Sequence, residues 1–282
     1  MISITECPRD AMQGIDNFIP TEKKIAYINQ LLTVGFDVVD FGSFVSAKAI
    51  PQMRDTSEVL TGLDLGKTKS KLLVIIANLR GAQVACQFEE INFLGFPFSV
   101  SEEFQLRNTN ASREKAFQRV ADIAELASRH EKELVVYLSM AFGNPYRELW
   151  SPELVAEWTR KIGALGIKKF ALSDTIGNSN PDSIKNLFGL MTKEFPDYSW
   201  TAHLHTTPPT WKEKVESAFQ AGCRSFDGAL KGYGGCPMAE DKLTGNMPTE
   251  KLIDYLQKQE KLNIDEGELR KAMDMSISVF PN

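Results

Sequence analysis

The sequence predicts an α/β fold, a closed (β/α)8 TIM barrel with extra helices at its C-terminal end, and three observations carry that prediction. Short apolar runs recur eight times, each followed by a stretch with helical spacing. The runs are apolar along most of their length, which suits strands buried on both faces. Polar and titratable residues gather where these strands end, and the opposite connections, such as 32–35 and 163–166, are short and bland. An open doubly wound sheet is the alternative arrangement of the same units.

The strand runs are 2–6, 36–41, 71–77, 89–95, 133–139, 168–173, 198–205 and 224–230. Helical spacing covers 21–34, 56–65, 79–86, 112–130, 151–164, 180–194 and 210–221. Ser112 before Arg113-Glu114-Lys115 and Ser151 before Pro152 are helix starts. Gly35, Gly166 and Gly222 are helix stops, placed where the chain turns into the next strand. Residues 101–112 read as a long polar loop after the fourth strand. Two more helices, 249–260 and 265–278, close the barrel rather than forming a unit of their own, so 1–282 is expected to be a single domain.

With 43% hydrophobic and 24% charged residues, the composition is that of an ordinary globular chain. A formal net charge of -5 argues against a nucleic-acid or anionic-membrane partner. No apolar run approaches the length of a membrane span, and MISITECPRD lacks the basic-then-apolar pattern of a secretion signal. The four cysteines, Cys7, Cys86, Cys223 and Cys236, show no CxxC pairing and suit a reducing, cytoplasmic setting.

Only three histidines occur, and two of them, His203 and His205, stand two apart in TAHLHTT. On a strand, residues i and i+2 share a face, so both imidazoles can grip one object. With Asp10 from the turn after strand 1 they make a plausible divalent-cation set, and Asn246 can add an amide oxygen. Chance spacing of two histidines is the competing reading. Arg9 beside Asp10 can stabilise an enolate oxygen or simply brace the loop. Cys236, in GYGGCP, is either an incidental thiol or a proton carrier on a pliable loop. Asp174 in SDTIG either supports the site or caps the next helix. His130, amid Arg129, Glu131 and Lys132, reads as a solvated helix end.

The stretches ECPRDAMQ, SFVSAKAIPQMRDTSEVL, NLRG, SEEFQLRNTNAS, YLSMAFGNPY, DTIG, HLH, GGCP and TGN together resemble the 3-hydroxy-3-methylglutaryl-CoA lyase family of metal-dependent TIM-barrel lyases, over roughly 2–260. The resemblance implies cleavage of 3-hydroxy-3-methylglutaryl-CoA, or a close 3-hydroxyacyl-CoA, to acetyl-CoA and acetoacetate with Mg²⁺ or Mn²⁺. It implies Asp10, His203, His205 and Asn246 as metal ligands and Arg9 as stabiliser of the enolate. Cys236 would donate or accept a proton, with His203 also placed for proton transfer. Asp40 would take the place of the family's strand-2 glutamate, and Asp174 would sit near the substrate. A homodimer is implied as well.

This sequence departs from the family pattern at Asp40, one methylene shorter than the usual Glu, at Ala171 for a serine, and at Thr206 where Asp usually follows the histidine pair. PRDGLQN reads PRDAMQG. These departures leave open a related aldolase or Claisen-type synthase, or a non-catalytic acyl-CoA-binding barrel. Lys48, Arg54 and Arg80 are candidates for contacts with the CoA phosphates.

Overall fold

The computed structural model describes residues 1–235 and 244–280. Eight parallel strands close into a barrel in chain order: β1 (Ser3–Glu6), β2 (Val38–Ser43), β3 (Lys71–Ile75), β4 (Ile91–Ser99), β5 (Glu133–Ser139), β6 (Lys169–Asp174), β7 (Ser199–Leu204) and β8 (Ser225–Gly228). Strand β1 pairs with both β2 and β8, which completes the ring. No helix among the described residues is long and apolar enough to cross a membrane.

Alternation within the strands separates two cores. On β3, Leu73 and Ile75 point inward and join Phe93, Val135, Tyr137 and Ala171 inside the barrel. Leu72 and Val74 point outward into the larger core beneath the helices. Both faces are therefore buried, which is why the strands read as continuous apolar runs.

The helices are α1 (Pro8–Gln13), α2 (Thr21–Leu32), α3 (Thr56–Thr61), α4 (Leu79–Ala85), α5 (Glu102–Thr109), α6 (Arg113–Arg129), α7 (Pro152–Gly163), α8 (Pro181–Glu194), α9 (Trp211–Gln220), α10 (Thr249–Leu256) and α11 (Glu266–Val279). Ser112 and Ser151 accept hydrogen bonds from the Lys115 and Leu154 amides, as N-caps do. Gly35, Gly166 and Gly222 adopt φ of 98°, 88° and 96°, the left-handed turn that ends a helix. His130 is the exposed C-cap of α6. The two terminal helices are present: α11 packs along α2, where Gln30 donates to Glu268 and Tyr27 meets Phe280 edge to face.

Four local expectations change. Strand β2 lies two residues later than its apolar run, and a bulge between Asp40 and Gly42 shifts its register on β3. Strand β4 runs on to Ser99, past Gly95 and Pro97, two residues that read as breakers. Its ladder to β3 ends at Ile75–Gly95, so beyond that point β4 pairs only with β5 and a missing N–H at Pro97 costs no ladder bond to β3. Gly95 is needed for space, since a Cβ there would meet Ile75 Cδ1 at 2.5 Å. The expected loop at 101–112 is mostly helix α5, capped by Ser101 and ended by Asn110 at φ 50°. Strand β8 is shorter than its apolar run, ending at Gly228 before a 3-10 turn at Leu230–Gly232.

Candidate active site

At the end of β1, Pro8 occupies the first turn of α1, where a missing N–H costs nothing. The short helix that follows carries Arg9 and Asp10 over the barrel mouth, both more than nine-tenths buried. One helical turn on, Gln13 reaches back: its Nε2 donates to Asp10 Oδ1 at 2.7 Å, and its Oε1 accepts from Arg9 Nη1 at 2.8 Å. Arg9 Nη1 also donates to Asp10 Oδ1 at 2.9 Å. On the other side, Arg9 Nε and Nη2 both donate to Asp40 Oδ2, at 3.0 and 2.5 Å. Four of the five guanidinium donors are engaged in this way, leaving one on Nη2.

The two imidazoles, from the end of β7, stand beside Asp10 with ring centroids 5.4 Å apart. His203 Nδ1 lies 3.0 Å from Asp227 Oδ2, and His205 Nδ1 lies 2.8 Å from the Thr175 carbonyl oxygen. A carbonyl can only accept, and so does an ionised carboxylate, so each Nδ1 carries the proton and each Nε2 keeps its lone pair. His205 Nε2 is buried and has no hydrogen-bond partner. Ligand atoms of Asp10, His203 and His205 lie within 4.8 Å of one another. An unpaired buried acceptor beside a carboxylate is costly on its own, and a cation held by all three would satisfy it. The donor set therefore fits a divalent ion.

Electrostatics reinforce the cluster. Burial alone would raise Asp10, but the Arg9 guanidinium and the two imidazoles outweigh it and hold its carboxyl at about 2. Burial dominates at Asp40, which rises to about 6 despite Arg9. At His203 burial is opposed by the Asp227 hydrogen bond and charge, and the imidazole ends above its ordinary value. His205 is pushed down by burial and by the neighbouring His203.

Asn246 is buried beside this group; its Nδ2 donates to the Tyr233 carbonyl at 2.8 Å, and its side chain helps hold the Asp10 carboxyl low. Asp174 turns away from the opening: it accepts from the Ser179 amide and hydroxyl and from Lys214 Nζ at 2.8 Å. The cap of α8 is not Asp174 but Asn180, in a reciprocal capping box with Ser183. Cys236 lies outside the described residues. Thr206, in the place of the family's aspartate, pairs by backbone with Gly245 and bonds Thr210 through its hydroxyl. Ala171 belongs to the barrel's inner core.

A cavity of about 320 Å³ opens over the cluster, lined by Arg9, Asp10, His203 and His205 together with Ile75, Phe104 and other apolar groups. A larger cavity of about 650 Å³ opens at the opposite mouth among Lys71, Phe93 and Lys169, but the cluster does not face it. The sequence reading gave no role to three groups that bond the histidines: Asp227, the Thr175 carbonyl and Lys214. Asp227 is a lone charge inside an apolar strand run and Lys214 sits in the buried stripe of α9. Both were signals of a buried polar role. Thr175 acts through its main chain, which no side-chain pattern records.

A family model described as HMGL-like matches residues 2–276. The mitochondrial hydroxymethylglutaryl-CoA lyase of Macaca fascicularis is 35% identical over 254 residues, covering 89% of this chain and 76% of that protein. The cytoplasmic 3-hydroxy-3-methylglutaryl-CoA lyase of Rattus norvegicus is 34% identical over 248 residues, covering 87% of this chain and 71% of that protein. Among solved structures, the HMG-CoA lyase from Brucella melitensis superposes with a TM-score of 0.91 at 28% identity, covering 98% of both chains. An HMG-CoA lyase from Acinetobacter baumannii, in complex with coenzyme A and 3-methylmalate, superposes with a TM-score of 0.90 at 32% identity, covering 99% of this chain and 91% of that one. With its barrel, its buried Asp–His–His cluster and these matches along most of its length, this chain belongs to the hydroxymethylglutaryl-CoA lyase-like family of carbon–carbon lyases.

Proposed function

We propose that residues 1–282 form one lyase domain that cleaves 3-hydroxy-3-methylglutaryl-CoA, or a close 3-hydroxyacyl-CoA, to acetyl-CoA and acetoacetate. The observation that carries this reading is the orphaned Nε2 of His205 converging with His203 and Asp10 beside an open cavity. Asp10, His203 and His205 would hold a Mg²⁺ or Mn²⁺ ion, with Asn246 adjacent to Asp10. Such an ion supplies Lewis-acid polarisation of the substrate's oxygens when bound.

The remaining steps belong to the chain. The C3 hydroxyl proton passes to a thiolate at Cys236, the C3–O bond becomes a carbonyl, the C2–C3 bond breaks, and its electron pair leaves as the thioester enolate. Arg9, braced by Asp40, Asp10 and Gln13, keeps one Nη2 donor for the enolate oxygen. A thiol at Cys236 would return the proton to C2 and release acetyl-CoA. His203 has only Nε2 available, because Nδ1 is bonded to Asp227, so ligation and proton transfer compete for one atom and we assign it to ligation. Asp174 acts from outside the cavity, through the residues it holds. The apolar wall takes the acyl methyl, and the complex of the Acinetobacter relative with coenzyme A supports an acyl-CoA ligand. The homodimer rests on the family resemblance. The cytoplasmic setting rests on the thiols; Cys7, Cys86 and Cys223 are buried and free.

The test is direct. Purified protein with Mg²⁺ or Mn²⁺ and 3-hydroxy-3-methylglutaryl-CoA is expected to release acetoacetate and acetyl-CoA in equal amounts. No product with any divalent metal would overturn the assignment.

A further inference from the structure

Lys214 is an almost fully buried lysine, 2% exposed, in the first turn of α9. An ammonium there is doubly disfavoured, by loss of water and by the positive end of the helix dipole. The structure meets it with three acceptors, one for each donor: Asp174 Oδ2 at 2.8 Å, the Gly177 carbonyl at 3.0 Å and the His205 carbonyl at 2.8 Å.

The third of these bonds matters most. The β6–β7 ladder ends at the pair Asp174–Leu204, and β7 meets β8 only at Thr201 and Ala202. His205 is the next residue, so its carbonyl has no strand to bond, and the Lys214 ammonium stands in for one. The first two bonds hold the 174–177 turn, whose Thr175 carbonyl accepts a hydrogen bond from the His205 ring. Lys214 thus fixes both the main chain of His205 and the turn that orients its imidazole.

We propose that Lys214 is a positioning residue for the metal centre, one that sets His205 Nε2 toward the ion through a three-way bridge between α9, the 174–177 turn and the end of β7. This rests on the reading of Asp10, His203 and His205 as ligands. Partners of this kind, one step removed from a metal, typically change its affinity by about 10–100-fold. Removing Lys214 alone would strand the buried Asp174 carboxylate, disturbing both folding and the local charge. The informative protein is therefore the double variant Lys214→Met with Asp174→Asn, which removes the pair and leaves its summed charge at zero.

Mn²⁺ binding to the parent and the double variant is measured by the electron paramagnetic resonance signal of free Mn²⁺, alongside thermal melting. The double variant is expected to melt cooperatively and to bind Mn²⁺ about 10–100-fold more weakly than the parent. A cooperatively melting double variant with the parent's Mn²⁺ affinity would overturn the proposal, because the lysine would then serve folding alone. A double variant that does not fold would also count against it, since it would make the bridge a requirement of the barrel. A parent that binds no Mn²⁺ would overturn the metal centre itself and this inference with it.

Discussion

His203 and Asp227 form a pair whose geometry selects one tautomer. The carboxylate accepts a hydrogen bond from the Nδ1–H and leaves Nε2 to face the cluster. An Asp227→Asn substitution presents an amide that can turn its own N–H toward Nδ1 and invert the tautomer. Mn²⁺ affinity should then fall by about 10–100-fold, measurable by titration, while the melting temperature changes little. Glu6 offers a test in pH. Its carboxyl is wholly buried between the Leu230 amide and the Thr249 hydroxyl, and burial raises it from 4.5 to about 8. Between those values the folded chain holds one more proton than the unfolded chain, so the contribution of Glu6 to stability is full below 4.5 and lost as pH rises toward 8. Glu6→Gln keeps one acceptor and one donor without the charge, so the variant should match the parent at pH 5 and exceed its melting temperature at pH 9. Equal melting temperatures at both pH values would refute the buried-acid reading.

Secondary-structure elements place these groups. Helix α1 sets Arg9, Asp10 and Gln13 on one turn, so three side chains from six residues brace one another before any substrate arrives. The 233–235 segment lies against them: Gly234, at φ 84°, lies so near α1 that a Cβ would come within 2.8 Å of both Ala11 Cα and the Asp10 carbonyl oxygen. Backbone cannot yield as a side-chain tip can, and the φ is itself unfavourable for alanine. Gly234→Ala is expected to push this segment off α1 and lower kcat/KM by roughly 10²-fold, as misplacement of about an ångström can. The melting temperature should fall by only a few degrees. A variant with parental kinetics would show that the close approach has no role in catalysis. The element pattern was legible where caps and glycine stops mark boundaries, as at Ser112, Ser151 and Gly166. It was misread at Pro97 and across α5, because whether a proline or a polar stretch breaks a strand depends on where neighbouring strands end.

For the molecule as a whole, the barrel and the proposed ion are energetically separate. The core is built from strand faces and helices, and the Asp–His–His cluster sits above it at the mouth. Chelation with EDTA should therefore abolish acetoacetate release and leave the circular dichroism spectrum and cooperative melting in place, with activity restored by added Mg²⁺ or Mn²⁺. Collapse of the fold on chelation would instead mark a structural metal.

Strand and helix periodicity, with the polar residues collected at one end of the strands, determined the alternating βα units, favoured a closed barrel over an open sheet and put Asp10, His203 and His205 at one mouth, because period and chain order are local properties. Only the tertiary structure decided what those residues bond. Arg9 is joined to Asp40 across 31 positions, His203 to Asp227 across 24 and Asp174 to Lys214 across 40. Such pairs come from strands and helices brought side by side by barrel closure. No spacing along the chain encodes which buried charge will meet which, since that depends on the register and the end point of each strand.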